Sequence, residues 1–80
     1  MKVPVIKKLA ETYSLEELQN AENAIYDEQQ PSIEVEGEDE GEQLTHIIAA
    51  IWIKNDMAEN GSELKNSLRN YTQKVRKSID

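Results

Sequence analysis

The sequence predicts an all-α fold: a small domain of four helices, the first one short, with an acidic loop between helices two and three. Three observations carry that prediction. Apolar residues recur at spacings of three and four through most of the chain. Helix-start signals stand at Ser14 with Glu17 and at Asp39 with Glu42, an oxygen-bearing side chain three residues before an acid. Helix-stop signals stand at Pro31 and at Asn60-Gly61.

Each element follows from local chemistry. Pro4 suits a first helical turn, where its missing N–H costs nothing, and Val5, Ile6 and Leu9 give residues 4–12 a short apolar face. Ser14 opens a capping box, and Leu15, Leu18, Ala21 and Ile25 continue it as a helix over 15–28 that must end before Pro31. Residues 29–41 are the main break. There Ile33 and Val35 alternate with Glu34 and Glu36, a pattern that pins a short extended segment onto a core. A third helix is expected over 40–59, closed by Gly61. A fourth is expected after a Ser62 cap, with Leu64, Leu68, Tyr71, Val75 and Ile79 on one stripe.

Size and composition bound what these helices can do. Eighty residues make one domain, and so short a chain buries only about 60% of its unfolded surface. With no cysteine there is no disulfide and no thiolate metal site, so stability must come from helix packing, from association, or from both. The start, MKVPVIKKLAE, lacks the apolar core of a signal peptide. The longest apolar run, Ile47 to Ile53, is far short of the ~20 residues of a membrane span. A cytoplasmic protein without membrane contact is expected.

Charge is strongly acidic and unevenly spread. Residues 1–61 hold 14 acids against 4 bases, whereas residues 62–80 hold 2 acids against 5 bases. Phosphate contacts need a basic footprint, so nucleic acid is not an expected partner. The bases of the fourth helix are expected to complement acids elsewhere on the protein.

The third helix differs in kind from the others. Leu44, Ile47, Ile48, Ile51 and Trp52 define one face, yet Ala49, Ala50 and Ile53 make the opposite face apolar too. Such a helix must be central, and three short amphipathic partners have little with which to cover it. Self-association follows, as a two-fold homodimer in which those five residues form the oligomer interface. Trp52, Tyr13, Tyr26 and Tyr71 read as core or interface anchors.

Chemistry is sparse. Glu34, Glu36, Glu38, Asp39 and Glu40 form an acidic surface suited to a basic protein partner. Read from Glu36, carboxylates at alternate positions and Gly41 at the sixth resemble the front half of an EF-hand calcium loop. The motif fails at its twelfth position, where Ile47 replaces the bidentate glutamate. His46, the single histidine, stands four residues after Glu42, on one helix face. A carboxylate–histidine site at a subunit interface could therefore hold a divalent metal, as the alternative to a protein without cofactor. No cysteine, no serine with a histidine in a recognisable frame and no glycine-rich phosphate loop is present, so no enzyme is expected.

Two segments, VPVIKKLAETYSLEELQNAENAIYDEQQPSIEVEGEDEGEQLTHIIAAIWI and LRNYTQKVRKSI, resemble a small family of uncharacterised bacterial proteins found among the Bacteroidota. The resemblance spans nearly the whole chain and implies a short, stand-alone cytoplasmic protein. It implies no activity, ligand or partner for any residue. The expectation is a non-enzymatic, homo-oligomerising module that works through protein–protein contacts.

Overall fold

Four helices carry the chain in a computed structural model, which describes residues 2–79 without the side chains of residues 78 and 79. They are α1 (Val3–Thr12), α2 (Leu15–Tyr26), α3 (Glu40–Asn60) and α4 (Leu64–Ile79). No strand occurs among the described residues.

Local chemistry sets most of the boundaries. Pro4 lies in the first turn of α1. Ser14 Oγ accepts from the Glu17 amide at 3.1 Å, and Glu17 Oε1 accepts from the Ser14 amide at 3.0 Å, completing the capping box of α2. Asp39 Oδ1 accepts from the Glu42 amide at 2.8 Å and caps α3. Gly61, at φ 61°, takes the left-handed conformation that ends α3.

Two ends differ from expectation. α2 stops at Tyr26, two residues early, because Glu28 adopts φ 59° and closes a Schellman motif. Its amide donates to the Ile25 carbonyl at 3.0 Å while that of Gln29 donates to the Ala24 carbonyl at 2.8 Å. α4 begins at Leu64, and the Glu63 carbonyl accepts from the Asn66 and Ser67 amides. Glu63 therefore takes the cap position expected for Ser62.

α3 is the hub, and α1, α2 and α4 all pack on it. α1 runs parallel to it. The Lys2 amide donates to His46 Nε2 at 3.0 Å, and Lys54 Nζ donates to the Ala10 carbonyl at 3.0 Å, an equal step along both helices. The tight turn at Tyr13-Ser14 sends α2 back, so Ile25 ends beside Gln43. α4 is antiparallel to α3 and meets it at Trp52–Tyr71 and Asp56–Asn70. The core is built from Ile6, Leu9, Leu18, Ala21, Ile47, Ala49, Ala50 and Ile53. Ile33 and Val35 pack half-buried against it, as their alternation predicts, though the segment is irregular.

The orientation of α3 corrects one expectation. Ile47 is wholly buried within the chain and belongs to the core, not to an interface. Ala49, Ala50 and Ile53 are buried with it, so the inward face runs through these small and branched residues. Ile48, one position on from Ile47, is 41% exposed. The expected stripe of α4 is also altered. Leu64, Leu68, Tyr71 and Val75 are half-buried, Ser67 is the wholly buried member, and the side chain of Ile79 lies outside the described residues.

Candidate functional site

His46 occupies the junction where α1, the acidic loop and α3 meet. Its ring is wholly buried. Nδ1 lies 2.9 Å from the Glu36 carbonyl and Nε2 lies 3.0 Å from the Lys2 amide. A carbonyl can only accept and an amide can only donate, so the pair selects the tautomer with hydrogen on Nδ1. In that tautomer both ring nitrogens are used. His46 thus ties the start of α1 and the acidic loop to the second turn of the hub helix.

That arrangement does not suit a metal. A ligating imidazole must offer a lone pair, and the Nε2 lone pair is taken by the Lys2 amide. Glu42 shares the face of His46, and its Oε1 is buried without a hydrogen-bond partner. Within the single chain, no cluster of three potential metal ligands occurs among the described residues. The expected Glu42–His46 pair is brought onto one face, but its histidine is committed to backbone groups.

The acidic loop is likewise built for structure at its backbone and for display at its side chains. Glu34, Glu36, Glu38, Asp39 and Glu40 are all exposed. Asp39 is spent on the α3 cap, and Glu36 lends only its carbonyl to His46. Gly37 is where the loop presses onto α3. A Cβ there would stand 2.8 Å from Gln43 Cγ and 2.9 Å from the Gln43 amide nitrogen. Gln43 Nε2 in turn donates to the Gly37 carbonyl at 3.4 Å.

The other candidate is the outward strip of α3. Ile48 forms its centre, with Leu44, Ile51 and Trp52 half-buried around it on successive turns. Trp52 forms the edge toward α4. Its ring centroid lies 5.5 Å from that of Tyr71 at an interplanar angle of 53°, and Lys74 Nζ stands 5.2 Å from its ring. Tilted aromatic and cation–ring contacts of this kind stabilise the edge. Burial against this edge holds the Tyr71 hydroxyl above the usual phenol range. Tyr26, at the end of α2, is 62% exposed. The structure thus keeps Leu44, Ile48, Ile51 and Trp52 on one face and removes Ile47 from it.

Sequence reasoning missed the partners of His46, Lys2 and Glu36, because they contribute backbone groups, which leave no compositional trace. It also missed Lys54 as a cap on the C-terminal end of α1. A lone lysine directly after the apolar run Ile47 to Ile53 is the signal that carries it.

The chain belongs to a family of unknown function (DUF6952), whose model matches residues 1–80. No curated protein and no solved structure matches it. No helix among the described residues is long and apolar enough to cross a membrane.

Proposed function

We propose that the protein is a non-enzymatic, homo-oligomerising interaction module, a two-fold dimer joined through the outward strip of α3. Its setting is the cytoplasm of a bacterium of the Bacteroidota, as the sequence resemblance implies. The observation that supports the reading is Ile48. It is a branched apolar side chain, 41% exposed at the middle of the hub helix, with half-buried Leu44, Ile51 and Trp52 about it. α1, α2 and α4 leave Ile48 exposed and cover Leu44, Ile51 and Trp52 only in part, and removing apolar surface from water is the main drive to association. A helix at a two-fold axis meets its own mate, so one apolar strip serves both chains. The exposed carboxylates Glu34, Glu36, Glu38 and Glu40 form a second surface, fitted to a basic protein.

Sedimentation velocity at micromolar concentration tests the reading. A dimer mass is expected for the wild type, and a folded monomer for Ile48→Asp, whose charge would be buried at the contact. A wild type that sediments as a monomer overturns it.

A further inference from the structure

The surroundings of the outward strip specify how a second copy would sit on it, an inference that rests on the self-association proposed above. We propose that the two α3 helices pack side by side and parallel, so that the basic α4 of each chain lies across the acidic α2 of the other.

The strip lies between two walls of opposite charge. On one side is α4, placed there by Trp52–Tyr71 and Asp56–Asn70. On the other side is α2, which buries Leu18, Ala21 and Ile25 toward α3. α2 carries Glu16, Glu17 and Glu22 and no base, while α4 carries five bases and no acid. In the helical register of α2, Glu22 and Tyr26 fall on the flank turned toward Ile48. On α4, Lys74 and Lys77 line a shallow groove with Asn70 and Gln73 on the corresponding flank.

A two-fold axis can relate two such surfaces in two limiting ways. An axis along α3 keeps the helices parallel and exchanges left for right, which puts α2 opposite the partner copy's α4. An axis across α3 makes the helices antiparallel and puts α2 on α2 and α4 on α4. Acid on base attracts, and like on like repels. The parallel arrangement also matches along the helices. α2 and α4 both run antiparallel to α3, so their C-terminal halves share one end of the molecule. Glu22 and Tyr26 of one copy then meet Lys74 and Lys77 of the other, with the tyrosine ring available to a lysine ammonium.

The experiment measures the dimer dissociation constant against salt and charge reversal. The dimer is expected to weaken as sodium chloride rises, because screening removes an attraction. Glu22→Lys and Lys77→Glu, both at positions outside the core, are each expected to raise the dissociation constant about tenfold, and the double reversal to recover most of that loss. Circular dichroism confirms that the variants are folded. A dimer that tightens with salt and ignores the single reversals is not held by attraction between α2 and α4, and the proposal fails while self-association stands. A wild type monomeric at every salt concentration removes both. Because the chain has no cysteine, orientation can be read directly with a short bismaleimide. Thr45→Cys and Glu59→Cys are each expected to crosslink to their own copy, whereas crosslinks formed only in a mixture of the two overturn the parallel arrangement.

Discussion

Ser67 is a polar residue in an apolar place. Its side chain is wholly buried and its hydroxyl has no hydrogen-bond partner. An unsatisfied hydroxyl carries its desolvation penalty in the folded state, and alanine is in addition the better helix former. Ser67→Ala is expected to raise stability by about 1 kcal/mol, seen as a higher urea midpoint at unchanged slope. Glu28 is unfavourable in its backbone instead. It holds the left-handed conformation of a Schellman motif at φ 59°, where a side chain costs roughly 1–2 kcal/mol. Glycine removes that strain but orders a freer unfolded chain, so Glu28→Gly should gain about 0.5–1 kcal/mol net. A lower urea midpoint in either variant would contradict these assignments.

At the scale of elements, α3 works as a hub because small and branched residues on its inward face let three helices approach it. His46 is its one polar tie, joining the Lys2 amide and the Glu36 carbonyl. His46→Leu keeps the bulk but strands both backbone groups, with a cost of roughly 2–4 kcal/mol. His46→Gln can still accept from Lys2 through its amide oxygen and should lose about half of that. Amide exchange should accelerate at the start of α1 and along the loop, and unchanged protection there would show that the tie is dispensable. The sequence makes the helices legible and their rotation less so. Ser14, Asp39 and Gly61 act within one turn of themselves, so the boundaries they set can be read locally. α2 ends where a glutamate does the work of glycine, which no composition signals. The middle of α3, Ile47 to Ile53, is apolar on every side, so its periodicity does not say that Ile47 points inward and Ile48 outward. The His46 tie spans 44 residues to Lys2, and its geometry depends on how α1 and α3 lie in space.

For the whole molecule, the uneven charge and the outward strip belong to one arrangement. The chain has a net charge of −7, yet α4 is purely basic and stands apart across α3 from an acidic α2. Within one copy those walls are separated by the strip, and in a parallel pair each finds its complement. Association of this kind couples folding to concentration, since anything that binds the native state alone stabilises it by mass action. A tenfold rise in protein concentration then adds about 1.4 kcal/mol per dimer. For a unit of this size, that corresponds to a Tm increase of roughly 3–6 °C. Calorimetric scans over a hundredfold concentration range measure it directly. The wild type is expected to melt higher at each step, and Ile48→Asp to melt at one temperature throughout. If the wild type also melts at a single temperature, the strip is no interface, and the chain stands as a monomer that leaves Ile48 in water.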